Sequence, residues 1–313
     1  MHAQESIRYM SYYVGEGVRH VLKIKRAPKC DNVHYLDLYH ANEFIQDAVL
    51  SGASFMAARF GSGEMRAFLK TIEVRLGLRR RIPEQNMDSL CINAGFFPRD
   101  QELALRFGEE MERACRQVDL LAVWNSLPME NYVNDIFVPQ ARQCFLGDIE
   151  PFFAENPWTR ALRGKKVLVI HPFEDSIRSQ YEKRRELFEA GEILPDFELY
   201  TLKAVQTIGD EQDERFQTWF DALDYMENQA MSFDFDVAII GCGAYGFPLA
   251  ARLKSRGKCA IHMGGVTQIL FGIRGSRWDA KPEYRDMVND AWCRPDISEQ
   301  PESRRQIEGA CYW

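Results

Sequence analysis

Residues 234–265 read DFDVAIIGCGAYGFPLAARLKSRGKCAIHMGG and decide the fold class of this chain. Two short apolar runs flank an amphipathic stretch within this segment, a pattern that favours two parallel strands joined by a helix. We predict strands over 235–242 and 258–263 and a helix over about 247–256. The alternation recurs along the chain, so the sequence predicts an α/β protein with a mostly parallel sheet and helices on both faces.

The remaining elements follow from the same patterns. Further strands are predicted over 54–60, 120–126, 165–172 and 197–205, and further helices over about 63–76, 100–117, 176–190 and 213–230. Helical spacing within 35–52 predicts a lead-in helix that closes at Gly52. These elements divide the chain into an N-terminal helical extension (1–45), one domain (46–280) and a tail (281–313) that is irregular or wraps over the domain.

Composition excludes several classes of protein. The 313 residues are 46% hydrophobic with a net charge of −7, which gives no electrostatic footprint for nucleic acid or an anionic membrane. The basic stretch 19–29, RHVLKIKRAPK, is interpreted as a solvated face. Eight cysteines without a C-x-x-C pair or a secretory signal indicate a reduced, cytoplasmic protein without zinc. No apolar run is long enough to cross a membrane, which leaves peripheral attachment to a membrane-bound partner open.

The glycine turn at 241–246 has the spacing G-x-G-x-x-G between a predicted strand and a predicted helix. Glycine lets the backbone approach a phosphate, and a helix start offers free N–H groups. A dinucleotide enzyme would carry an acidic residue about 20 positions later. The next strand ends instead at a histidine, which favours a diphosphate site over NAD; a turn that only permits close packing is the alternative. The residues assigned to this corner are Gly241, Gly243, Tyr245, Gly246, His262, Gly264 and Gly265.

A second corner follows the strand FMAARF, where Arg59, Gly61, Ser62, Gly63 and Glu64 occur together. Ser62 as N-cap and Glu64 in the first turn are both explained by a helix start. Arg59, at the end of a buried strand, is not explained, and an arginine there can pair with a carboxylate or bind a phosphate. Glu64 is a candidate ligand for Mg or Mn bridging that phosphate.

Two further strand ends carry polar groups. His171 ends one strand, and Glu174 and Asp175 follow it as candidate general bases, although Asp175 or Ser176 as a helix cap is the alternative. The segment AVWNSLPMENY offers Asn125 for hydrogen bonding and Trp124 or Tyr132 for stacking, with core packing as the alternative for Trp124.

The segments ARFGSGEMRAF (58–68) and VAIIGCGAYGFPLAARLKSRGKCAIHMGGVTQILFGIRGSRW (237–278) resemble the GT-D-type bacterial glycosyltransferases of surface polysaccharide synthesis. In that family a strand leads into R-[FY]-G-D-G-E. The resemblance would cover about 46–280, and GKKVLVIHPF (164–173) adds to it. Glu64 matches the motif glutamate, whereas Ser62 stands in place of the family's aspartate.

The resemblance implies a Rossmann-like catalytic domain that binds a nucleoside diphosphate sugar, for which UDP is the expected nucleotide, usually with Mn or Mg. It implies transfer of the sugar to a glycan acceptor. Because Ser62 removes half of the carboxylate pair, either Glu64 holds the metal with waters and phosphate oxygens, or Arg59, His262 and the glycine-turn amides neutralise the diphosphate. The alternatives are a catalytically silent nucleotide- or glycan-binding subunit, and an NAD- or S-adenosylmethionine-dependent enzyme.

Overall fold

Seven strands form one all-parallel sheet in the computed structural model, which describes residues 2–24, 30–189, 192–209, 211, 213–307 and 310–313. The strands are β1 Phe55–Arg59, β2 Leu120–Val123, β3 Arg142–Phe145, β4 Lys166–His171, β5 Glu198–Lys203, β6 Val237–Ile240 and β7 Cys259–His262. Their order across the sheet is β3-β2-β1-β7-β6-β4-β5. The predicted α/β class is confirmed, and the arrangement is Rossmann-like.

Helices surround this sheet. In the described residues they are α1 His2–Val21, α2 Leu38–Ser51, α3 Ser62–Arg75, α4 Glu84–Asp88, α5 Gln101–Cys115, α6 Glu130–Phe137, α7 Glu174–Glu182, α8 Trp219–Met231, α9 Gly246–Ser255, α10 Thr267–Leu270, α11 Ser276–Asp279 and α12 Pro282–Arg285. None of them combines the length and the apolar composition needed to span a bilayer.

The two faces of the sheet bury separate cores. On the first face, Met56 and Ala58 of β1 belong to the core that contains apolar residues of α3, α5, α6, α8 and α9. On the second face, Phe55 and Ala57 belong to the core that contains residues of α2, α7 and the C-terminal segment, by which we mean residues 263–307 and 310–313 with α10 included. Because alternate residues of a strand point to opposite faces, a fully apolar strand such as β1 contributes to both cores.

The direction of each connection is tied to the face that it crosses. Connections that move toward the β3 edge, after β1, β2, β5 and β6, cross the first face; those that move toward the β5 edge, after β3 and β4, cross the second. All six share one hand, as expected for parallel strands. The chain therefore turns to the first face after β6 and to the second face after its neighbour β4. The same divergence occurs at the neighbours β1 and β7, since the chain turns to the first face after β1 and to the second face after β7. Such divergence opens a crevice at the carboxyl ends of the strands.

The six predicted strands are all present, whereas β3 was missed. Because β3 is an edge strand, only Cys144 of its sequence RQCF is buried. The strand therefore lacks the apolar run that marks the central strands. The predicted helix over 176–190 ends early, at Glu182. The one predicted from 213 begins only at Trp219, where Thr218 and Asp221 form a capping box.

The chain ends contribute more structure than their sequences indicate. α1 is a 20-residue helix, and α2 closes as predicted, at Gly52 in the left-handed region (φ 67°). Residues 19–24 of the basic stretch are exposed, and its remainder, 25–29, lies outside the described residues. The C-terminal segment wraps over the second face and buries Trp292 and Ile307 there. The boundaries at 45 and 280 stay predictions.

Gly246 gives a direct test of helix packing against the sheet. A Cβ at this position would overlap the ring of buried His262 on β7. We expect Gly246→Ala to lower the free energy of unfolding by about 1–3 kcal/mol, the usual cost of overpacking. Urea denaturation measures this cost. Gly147→Ala is the control, since a Cβ there meets nothing within 4 Å; equal stability of the two variants would contradict the expectation.

Candidate functional site

A cavity of about 610 Å³ lies at the carboxyl ends of β1, β7, β6 and β4, where the chain diverges. We call it the central cavity, and its volume is in the range of small-molecule sites. Twelve of the sixteen predicted site residues line it: Arg59, Gly61, Ser62, Gly63, Glu64, His171, Gly241, Gly243, Tyr245, His262, Gly264 and Gly265. The strand ends, distant in sequence, are thus brought together.

Four predicted site residues are not among the lining residues: Asn125, Glu174, Asp175 and Gly246. Asn125 follows the cavity residue Trp124 in a left-handed conformation (φ 56°). Gly246 serves the packing of α9 on His262. Its role is therefore the close helix approach that the sequence left as an alternative.

Glu174 and Asp175 are held in the first turn of α7. The Glu174 carboxylate accepts a hydrogen bond from Thr201 Oγ1 at 2.8 Å and pairs with Arg178. Asp175 donates its backbone N–H to buried Glu299, 2.7 Å away, and Ser176 donates its N–H and hydroxyl to the same carboxylate. Glu299 of the C-terminal segment thus caps α7, so neither Asp175 nor Ser176 does. A general-base role for Glu174 or Asp175 has no geometric support in the central cavity.

Arg59 brings a half-buried positive charge to the cavity. Its guanidinium lies over the Trp124 ring, 4.7 Å from the centroid, and no carboxylate in the described ranges lies within 4 Å of it. Burial lowers the pKa of Arg59, although the charges of Glu64 and Glu150 act in the opposite direction. The side chain stays charged, since arginine does not deprotonate in proteins. A ligand anion would satisfy this guanidinium.

The start of α3 adjoins Arg59. Gly61, not Ser62, is the N-cap, and Ser62 is the first helical residue, so the predicted cap was wrong by one position. The Glu64 carboxyl folds back over Gly61, where a Cβ would overlap it. The first amides of a helix have no partner within the helix. Those of Ser62 and Gly63 therefore give this edge of the cavity a preference for negative charge.

The glycine turn does not present the row of free amides expected of a phosphate loop. Gly241 donates its N–H to the Ile170 carbonyl (2.9 Å), and Ala244 donates its N–H to the Ala94 carbonyl (3.2 Å). A Cβ at Gly243, which has φ 57°, would stand 3.2 Å from the same Ala94 oxygen. The glycines therefore allow close packing, and the turn reaches the cavity as part of its wall.

Both cavity histidines are neutral at physiological pH. Burial lowers the pKa of His171 and of His262 to about 3, and the nearby charge of Arg59 adds to the effect on His262. Phe173 N–H donates to His171 Nδ1 at 3.0 Å, which places the His171 proton on Nε2. His262 Nδ1 donates to the Ile240 carbonyl at 3.2 Å, which leaves its Nε2 as an acceptor. His262 therefore carries no positive charge at neutral pH, and a hydrogen bond is what it offers to a bound group.

Glu150 is the principal site residue that the sequence reasoning missed. Its carboxyl lines the cavity, is 5% exposed and accepts a hydrogen bond from Tyr284 Oη at 2.7 Å. Burial raises the pKa of Glu150 to about 7, against the lowering effects of the Tyr284 hydrogen bond and of the charges on Arg59 and Lys281. The available signal was a glutamate inside the apolar run LGDIEPFF, since buried carboxylates are rare.

The C-terminal segment supplies a second unpredicted wall, because its polar sequence hides its role. Gln268 Nε2 donates to the carbonyls of Ile273 and Tyr312, which fixes the amide orientation and leaves buried Gln268 Oε1 without a partner among the described residues. Trp313 Nε1 is also buried, and it has no hydrogen-bond acceptor among the described residues. The segment's cavity residues are Arg277, Trp278, Lys281, Tyr284, Tyr312 and Trp313.

A wider groove of about 1210 Å³ runs along the edge strand β5, and we call it the β5 groove. It shares Pro172, Val205 and Gln206 with the central cavity, so the two spaces adjoin. Its charged lining includes Glu174, Arg178, Lys203, Asp213 and Arg215.

The described residues of the cavity do not form a ready-made site for a divalent metal. The described chain contains no group of three or more His, Cys, Asp or Glu side chains that could hold one. Glu64 lies back over Gly61, and three cationic side chains, Arg59, Arg277 and Lys281, line the same cavity. These cations make the cavity suited to an anion without a metal bridge.

Comparison with known proteins identifies no relative. No family model, no curated protein and no solved structure matches this chain. The resemblance to GT-D glycosyltransferases therefore rests on the quoted segments alone, and function has to be argued from the geometry of the cavity.

Glu150 makes stability depend on pH in a predictable direction. The pKa of Glu150 in the folded protein, about 7, lies above the ordinary 4.5. Its contribution to the free energy of unfolding is therefore complete below pH 4.5 and is lost as the pH rises through 7. We expect the stability of wild type relative to Glu150→Gln to fall by about 3 kcal/mol between pH 4.5 and 8. Urea denaturation across this range measures it.

Both proteins keep His171 and His262, so the difference isolates Glu150. Glu102→Gln, at an exposed position of α5, is the control and should follow wild type. Parallel pH curves for wild type and Glu150→Gln would show that Glu150 ionises normally.

Proposed function

We propose that this chain is a glycosyltransferase that binds a nucleoside diphosphate sugar in the central cavity and transfers the sugar to a glycan acceptor. The observation that carries the proposal is Arg59, a half-buried cation without a carboxylate partner in the described chain, placed beside the start of α3. Both features favour a phosphate group, and a diphosphate offers two.

The wall formed by Gln268, Tyr312 and Trp313 supports a hydroxylated ring as the rest of the ligand. Gln268 Oε1 needs a donor and Trp313 Nε1 needs an acceptor, and one sugar hydroxyl can act as either. Buried polar atoms without partners are rare in native proteins. The rings of Tyr312 and Trp313 add apolar surface on which a sugar or a base can pack.

Glu150 is the proposed proton acceptor. In the transfer, the acceptor hydroxyl oxygen forms a bond to the anomeric carbon, and the bond from that carbon to the diphosphate oxygen breaks. The hydroxyl proton passes to the Glu150 carboxylate, and the diphosphate leaves with the electron pair beside Arg59. With a pKa of about 7, Glu150 is ionised in about half of the molecules at neutral pH, which suits a general base.

A binding subunit without catalysis is the second candidate. The observation that favours it is that both sequence-predicted bases, Glu174 and Asp175, lie outside the central cavity. Such a subunit would bind the same nucleotide without releasing it from a sugar donor. We place either protein in the cytoplasm, because none of the eight cysteines, all of which lie in the described residues, forms a disulfide.

Arg59 gives the first test. We expect Arg59→Gln to weaken UDP binding roughly 10- to 100-fold, because hydrogen bonds to charged groups contribute about 1.5–3 kcal/mol. Isothermal titration calorimetry with UDP, other nucleoside diphosphates and NAD measures this. Arg66→Gln, exposed on α3, is the control. Binding should persist in EDTA, and absence of binding by every nucleoside diphosphate would overturn the proposal.

Glu150 separates binding from catalysis. We expect Glu150→Gln to keep UDP affinity within a few-fold and to reduce UDP release from its sugar donor by about 10²–10⁴, the usual contribution of a general base. The assay measures UDP released from a panel of UDP-sugars with glycan acceptors. UDP binding without release by wild type would favour the binding subunit, whereas full activity of Glu150→Gln would exclude Glu150 as the base.

A further inference from the structure

One side of α1 holds the helix against the domain. Tyr9 Oη donates to Glu73 at 2.6 Å, and Tyr12 Oη donates to Asp135 at 2.7 Å. The Glu16 carboxylate accepts a hydrogen bond from Met129 N–H at 2.9 Å. These contacts span two turns of the helix and fix its rotation, so the direction of every other side chain on α1 follows.

The opposite side of α1 is apolar and exposed. It carries an apolar stripe of Ile7, Met10, Val14, Val18 and Val21, which are 42 to 78% exposed. At 100° per residue these side chains lie within an arc of about 80°, facing away from Tyr9 and Glu16. A shallow depression lined by Val14, Gly17, Val18, Val21 and Leu22 lies on this surface. Exposed apolar patches of this kind mark interaction sites.

Charge identifies the kind of partner. Exposed Arg19, His20 and Lys23 lie around the C-terminal end of the stripe. The first 30 residues contain six Lys and Arg against two Glu, although the whole chain has a net charge of −7. An amphipathic helix with a basic end is the combination that binds in the interface of an anionic bilayer.

We infer that the apolar stripe of α1 docks on a lipid bilayer with anionic headgroups, with the helix lying in the plane of the interface. A second copy of the chain fits less well, because the positions that flank the stripe, Ser11, Tyr13 and His20, offer no opposite charges to pair two helices. The negative net charge of the whole chain does not reveal this surface, because the excess of basic over acidic residues occurs only within the first 30 residues. The inference does not rest on the proposed glycosyltransferase activity.

The test is co-sedimentation of the full chain with vesicles of phosphatidylcholine and phosphatidylglycerol in equal parts, and with phosphatidylcholine alone. Wild type should bind the anionic vesicles at low salt and dissociate as salt increases. We expect Val14→Asp/Val18→Asp and, separately, Arg19→Gln/Lys23→Gln to reduce the partition coefficient at least about tenfold. Ile297→Asp, at an 81% exposed site in the C-terminal segment, is the matched control.

Each outcome decides the inference. Because the substituted side chains are exposed, unchanged thermal unfolding and an unchanged far-UV circular dichroism spectrum should show that the variants are folded. Binding by wild type that the α1 variants lose and Ile297→Asp keeps would support the docking surface. Equal binding to neutral vesicles, equal binding by the α1 variants, or a wild-type dimer that Val14→Asp/Val18→Asp dissociates without vesicle binding would overturn it.

Discussion

The shared hand of the strand connections is the constraint on which the rest of this molecule depends. Because a connection that crosses one face can move in only one direction along the sheet, the chain must leave β4 and β6 toward opposite faces. The space between those departing segments cannot be filled by either of them. The central cavity occupies this space, so its position follows from topology before any side chain is considered.

The C-terminal segment converts that open crevice into an enclosed site. Glu299 places its carboxylate on the amides of Asp175 and Ser176, which binds the segment to the start of α7. In the same segment, Tyr284 donates a hydrogen bond to Glu150, and Trp313 lines the cavity. One capping interaction thus stabilises both a helix terminus and the wall that carries the aromatic rings.

The sequence was sufficient for six of the seven strands and for the residues at their ends, because apolar runs and the residues after them are local signals. It identified Arg59 and His262 without any knowledge of their neighbours. Glu150 and Trp313 could not be found in this way, since their importance comes from burial created by distant segments. The cap of α7 was missed for the same reason: Glu299 lies more than 120 residues from the amides that it binds. The glycine turn shows the opposite error: its spacing was correct, but the amides of Gly241, Ala244 and Tyr245 donate to carbonyls of the protein.

The junction between the β5 groove and the central cavity has a consequence for rates. Pro172, Val205 and Gln206 border both spaces, so a molecule in the groove would stand across one exit of the cavity. Occupancy of the groove would then slow dissociation from the cavity on that side, whatever the affinities of the two ligands.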